Sequence, residues 1–111
     1  DDFLQFLKNK MELSFVKFTK TDKSHIKTVA VCGGAGSFLI KKAKREADAY
    51  ITADVKYHEF FDAEGTLLLC DIGHFESEKY TIEIFQEILS KKIPNFATIF
   101  AQTNTNPVQY R

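Results

Sequence analysis

His74 and Glu78 stand four residues apart in the run Asp71-Ile72-Gly73-His74-Phe75-Glu76-Ser77-Glu78. On a helix, at about 100° per residue, the two positions lie only about 40° apart around the axis. An imidazole nitrogen and a carboxylate oxygen offered to one point are donors that hard and borderline divalent metals accept. On the same wheel Ile82, Phe85, Ile88 and Leu89 fall on that side, with Glu76, Glu83 and Glu87 opposite. The spacing therefore predicts one long helix from about His74 to Ser90, with His74 and Glu78 at the N-terminal end of its buried stripe. A carboxylate on such a stripe is costly unless paired or bound to a cation. The alternative is that Glu78 pairs with a Lys or Arg while His74 caps the helix or bonds to backbone. Two donors do not close a metal site, which usually takes three or four protein groups. The other histidines, His25 in a polar loop and His58, do not obviously complete one.

Two further clusters carry chemistry. In Thr52-Ala53-Asp54-Val55-Lys56-Tyr57-His58, Asp54 leaves a strand end and His58 follows on a short helix. An imidazole there titrates near working pH, so His58 and Asp54 are candidates for proton transfer or for orienting a substrate. The competing reading makes Asp54 the N-cap of the short helix and His58 a surface residue. Cys32-Gly33-Gly34-Ala35-Gly36-Ser37 reads as a strand, a glycine turn and a helix start. Amides exposed at such a turn favour anions. The run lacks the Gly-Lys-Ser/Thr of a P-loop and the dinucleotide spacing, so a tight turn with positive-φ glycines and Ser37 as N-cap is the plainer reading.

The elements that must position these residues follow from pattern. Phe3 to Lys10 reads as a short amphipathic helix, and Leu13, Phe15 and Phe18 as an imperfect strand. Thr28 to Cys32, Ala49 to Thr52 and Thr66 to Cys70 are apolar strands of the kind buried in parallel sheets. Helical stretches are expected from Phe38 to about Ala47 and from Tyr57 to Ala63. A last strand is predicted over Phe96 to Ala101 before a polar tail. Cys32 and Cys70 each end a strand run and read as reduced core residues, as do Phe85 and Phe96 to Phe100 as core. Strands alternating with helices indicate a single α/β domain built on a small mixed, largely parallel sheet. Ligands in such sheets collect at the carboxyl ends of the strands, where Gly33 to Ser37, Asp54 with His58, and Asp71 with His74 all fall.

Composition sets the outer bounds. The 111 residues are one domain's length, and 44% hydrophobic residues with 11 Phe are too apolar for disorder. Lys+Arg and Asp+Glu balance at 15 each, which argues against nucleic acid as a partner. No apolar run is long enough to span a membrane. Two cysteines make no disulfide framework, so a reduced, cytoplasmic protein is expected. A chain opening Asp1-Asp2 without Met is expected to be a fragment or processed piece.

Taken in order, Val29 to Ser37, Ala47 to His58, Asp71 to Glu78 and the tail Asn104-Thr105-Asn106-Pro107-Val108 resemble the Nif-three-like family, often named GTP cyclohydrolase I type 2. The resemblance covers Asp1 to Arg111 as the family's carboxyl-terminal part, with Ala53 standing where a Gly is commoner. It implies a three-layer α/β/α fold and a dinuclear metal site between two intertwined halves. Carried over by position, the family's metal-ligating His and Glu fall on His74 and Glu78. The remaining ligands, a His-His pair and an Asp, belong to the amino-terminal half and are not found here. The resemblance thus implies two divalent metal ions, zinc, iron or manganese, in a full-length protein that forms homo-oligomers. The expected function is that of a metal-dependent hydrolase acting on a nucleotide or another phosphate-bearing small molecule. The alternative is a non-enzymatic metal-binding interaction or regulatory module. The isolated chain, lacking its partner half, is expected to be inactive and to hold metal weakly.

Overall fold

The structure, a computed structural model, describes residues 2–111. The chain divides into two compact units, Asp1–Glu78 and Lys79–Arg111. The first unit carries the sheet. Its strands are β1 (Lys17–Phe18), β2 (Val29–Ala35), β3 (Ala49–Ala53) and β4 (Leu68–Asp71), ordered β1-β4-β3-β2. β2, β3 and β4 run parallel, and β1 is antiparallel to β4. This is the mixed, largely parallel sheet that the alternation of elements predicts.

Because successive strand residues point to opposite faces, the sheet builds two cores. Ala49, Ile51, Leu68 and Cys70 face one way and pack with Leu7 of α1 (Asp2–Met11) and with Leu13 and Ile72. Tyr50 and Leu69 face the other way, against Ile40 and Ala43 of α2 (Ile40–Glu46) and against Val55, Ala63 and Leu67. The unit is therefore a three-layer α/β/α sandwich. Every residue of β3 and β4 is buried, which is why both strands read as continuous apolar runs.

Several boundaries differ from the sequence reading. β2 does not stop at Gly33 but continues to Ala35 through an irregularity, with Val31 paired to Ile51 and Ala35 to Ala53. Gly34 at φ +64° absorbs the extra backbone as a bulge, a conformation glycine adopts without Cβ strain. The following turn is a 3-10 helix, Ser37–Leu39, leading into α2; its N-cap is Gly36, and the Ser37 hydroxyl turns instead to Glu59 at 3.1 Å. The region Leu13 to Phe18 contributes only the two-residue β1, in keeping with its broken alternation.

The predicted long helix is two helices, α3 (His74–Glu78) and α4 (Thr81–Lys92), with a break at Lys79 and Tyr80. Ser77 Oγ donates to the His74 carbonyl and accepts from the Gly34 amide, each at 2.8 Å, so the last turn of α3 is tied to β2 and the helix is not carried through Lys79 and Tyr80. The wheel beyond Glu78 consequently does not hold. In the second unit no residue of α4 is buried, and Phe85 is 60% exposed. Phe96 to Ala101 forms no strand, and Phe96 and Ile99 are exposed. Apolar β-formers become a strand only where a ladder partner exists, so the core assignment of Phe85 and Phe96 is corrected. Among the described residues no helix is long and apolar enough to cross a membrane.

Candidate metal centre at the strand ends

The carboxyl ends of β2, β3 and β4 bring together Gly34, Asp54 and His74, as the parallel topology requires. Asp54 follows β3 directly and takes φ +55°, a left-handed conformation that few residues other than glycine, asparagine and aspartate tolerate. Its Oδ2 lies 2.5 Å from His74 Nδ1. An ionised carboxylate can only accept, so Nδ1 carries the proton and donates. On the far side of the ring, His74 Nε2 is 3.3 Å from Glu78 Oε2. The imidazole is thus held between two carboxylates, one on each nitrogen. The hydrogen bond to Asp54, followed by the negative charges of Asp54 and Glu78, holds its pKa above the ordinary histidine value.

All three side chains are about half exposed, His74 and Asp54 at 51% and Glu78 at 50%. The buried position predicted for His74 and Glu78 is therefore corrected: with α3 only five residues long, the pair stays half exposed at the carboxyl ends of the strands. The Lys or Arg partner considered for Glu78 is replaced by His74 itself.

Below this pair the floor is backbone. A Cβ on Gly34 would stand 2.5 Å from Glu78 Oε1 and 3.3 Å from His74 Nε2. The bulge is pinned on both sides: the Gly34 amide donates to Ser77 Oγ at 2.8 Å, and Thr52 Oγ1 donates to the Gly34 carbonyl at 3.2 Å. At Gly34 the glycine run leaves room for the Glu78 carboxylate beside His74.

A third carboxylate braces the site: Asp71, which the sequence places with His74 at a strand end but to which it assigns no role of its own. Asp71 is buried at 1% exposure, with Oδ2 2.7 Å from Lys17 Nζ. Oδ2 also accepts from the Val55 amide at 3.2 Å, and Oδ1 from the Gly73 amide at 3.1 Å. Val55 follows Asp54 and Gly73 precedes His74, so one carboxylate ties together the two loops that present the pair. The local signal was available: an Asp two residues before a Gly forms an Asx-turn, which is the Asp71–Gly73 bond.

His58 lies exposed on a 3-10 helix, Tyr57–Asp62, where Glu59 is its electrostatic neighbour. Among the described residues no hydrogen bond or ion pair joins it to His74. The N-cap of that helix is Lys56, whose amide donates to Glu59 Oε2 at 2.8 Å, so Asp54 is not its cap. His25 lies elsewhere, lining a cavity of about 580 Å³ with Phe3, Phe18, Lys20 and Lys23.

The donor chemistry suits a divalent metal in part. Two donors each about 2.1 Å from one tetrahedral ion stand about 3.4 Å apart, close to the separation of Nε2 and Oε2. Among the described residues no group of three or more His, Cys, Asp or Glu side chains converges on one point. The chain can therefore offer two donors and needs others from outside the described residues to complete a cage.

Known proteins share this arrangement of sequence. A Campylobacter jejuni protein named GTP cyclohydrolase 1 type 2 homolog is 35% identical over 107 residues, covering 95% of this chain and 42% of its own length. A Staphylococcus epidermidis protein of the same name is 35% identical over 117 residues, covering all of this chain and 32% of its own. The crystal structure of the Staphylococcus aureus hypothetical protein SA1388 superposes with a TM-score of 0.83 at 30% identity, over 99% of this chain and 33% of that one. The chain spans between about a third and two fifths of the length of these relatives. The model of the Duf34/NIF3 (NGG1p interacting factor 3) family matches residues 1–107, and the chain belongs to that family.

Proposed function

We propose that this chain is the carboxyl-terminal, metal-holding part of a metal-dependent hydrolase that acts on a nucleotide or another phosphate-bearing small molecule. The observation that carries the reading is the convergence of His74 Nε2 and Glu78 Oε2, 3.3 Å apart above the Gly34 cradle. The names of the relatives, GTP cyclohydrolase 1 type 2 homolog, support the nucleotide class. His74 and Glu78 each give one donor to a dinuclear site whose other ligands come from the amino-terminal half of the full-length protein. A divalent ion held there supplies Lewis-acid activation of water. His58, exposed on the 3-10 helix that follows Asp54, gives or takes a proton on the substrate or orients it.

The test is elemental analysis of the 111-residue chain and of the full-length protein side by side. About two metal ions per full-length chain, with little in the shorter one, is the expected result. Metal in neither, or a His74→Ala protein with unchanged metal content and activity, would overturn the reading. Metal without turnover across a panel of nucleotides and phosphate esters would favour a regulatory metal-binding module instead.

A further inference from the structure

Residue 54 combines a left-handed backbone with a functional side chain. Its φ of +55° is a position where glycine would sit without strain, yet the chain places an aspartate there. Among the described residues the side chain of Asp54 makes one hydrogen bond, to His74 Nδ1 at 2.5 Å. The consequence lies on the other nitrogen. With Nδ1 bearing the hydrogen, a neutral ring has its lone pair on Nε2, the atom that faces Glu78 Oε2 at 3.3 Å. A ring free to rotate or to change tautomer would offer that lone pair only part of the time.

From this geometry we propose that Asp54 is a positioning residue for the metal ligand His74. It fixes the Nδ1–H tautomer and the ring's orientation, so that Nε2 stands ready as a donor beside Glu78. The assignment rests on the metal-binding reading of His74 and Glu78, and it moves Asp54 away from proton transfer on substrate. The logic is that of the carboxylate–histidine–metal arrangement, in which the outer carboxylate orients the ring and raises its basicity as a ligand. The brace at Asp71 serves the same end, because it holds Val55 and Gly73 and so limits how far Asp54 and His74 can separate.

Two measurements on the full-length protein test the proposal. The first is the ¹⁵N spectrum of the His74 ring in metal-free protein, at a pH high enough to neutralise it. The second is zinc affinity by competition titration. The variants are Asp54→Gly, which suits the left-handed backbone and removes the carboxylate, Asp54→Asn, which keeps an acceptor oxygen, and His74→Ala. In the wild type, Nδ1 should carry the proton and Nε2 should show a lone-pair shift. Asp54→Gly should keep its melting temperature within a few degrees, mix the two tautomers and bind zinc about 10- to 100-fold more weakly. Asp54→Asn should recover part of the loss. A wild-type tautomer and wild-type zinc affinity in Asp54→Gly would overturn the proposal. Equal zinc affinity in the wild type and His74→Ala would instead overturn the metal reading, and the ring spectra would still decide whether Asp54 sets the tautomer.

Discussion

Glu78 occupies the space that a side chain on residue 34 would need: its Oε1 lies 2.5 Å from the position of a Cβ built on Gly34. The relationship joins the bulge of β2 to the end of α3. Because Oε1 is the end of a flexible, half-exposed side chain, a Cβ at residue 34 would push the Glu78 carboxylate away from His74. Gly34→Ala should therefore do two things. The left-handed backbone should cost about 1–2 kcal/mol of stability, and the displaced Glu78 carboxylate should weaken zinc binding by the full-length protein about tenfold or more. Gly33→Ala is the control, since a Cβ there meets its nearest atom, the Ser77 carbonyl oxygen, at 3.4 Å. Thermal melts and zinc titration of the two variants side by side should separate them; equal effects would deny the cradle its role.

Removing the Asp71 carboxylate should loosen the site and the fold together. Asp71→Ala leaves the Val55 and Gly73 amides without their acceptor, at about 1–3 kcal/mol for each group left buried and unpaired. Lys17, whose side chain is 56% exposed, can turn to water and adds little to the loss. Denaturant unfolding should show the destabilisation, and the ¹⁵N signals of His74 should broaden as its loop loosens. A variant as stable as the wild type would show that water replaces the carboxylate without cost.

Acid sensitivity should trace to Asp48. Its carboxylate accepts from Lys23 Nζ at 2.6 Å and from the Thr28 and Lys27 amides at 2.9 Å each. These bonds, the Lys23 one foremost, hold its pKa well below the ordinary 3.8. A carboxylate whose pKa is lower folded than unfolded adds stability above the unfolded value and loses it as pH falls toward the folded one. The stability gap between wild type and Asp48→Asn should thus be constant from neutral pH down to about pH 5 and shrink steadily below about pH 4. A gap that does not change with pH would contradict the assignment.

Burial pushes the Cys70 thiol up to about 12. The thiolate is the reactive form, so Cys70 should resist iodoacetamide at pH 8 in the folded protein and react once denaturant is added. Peptide mapping after alkylation checks this. Labelling of Cys70 in the native state would mean that β4 opens on the timescale of the reaction.

The site was partly legible because some of its logic is local. The four-residue interval between His74 and Glu78 sets their shared face on any helical turn, however short, so five residues of α3 suffice. Asp54 was visible as a polar residue ending an apolar strand, and the parallel topology places such residues together. The partner it finds, His74, lies 20 residues on, and no local rule names it. The same holds for Asp71, whose bond to Gly73 is a turn signature but whose bonds to Lys17 and Val55 exist only because β1 and β3 flank β4.

What the sequence determined by itself is what short-range periodicity and composition encode: apolar runs for β3 and β4, the amphipathic α1, the glycines that permit a bulge, and the donor types at 74 and 78. Tertiary structure alone decided where each run ends and what each polar group meets. Phe96 to Ala101 has strand-forming residues but no ladder to join, and the stripe on α4 has the right spacing but no buried residue. Hydrogen-bond ladders and burial are properties of pairs of distant segments. A single segment can state its preference for them, but only the packed neighbours can supply them.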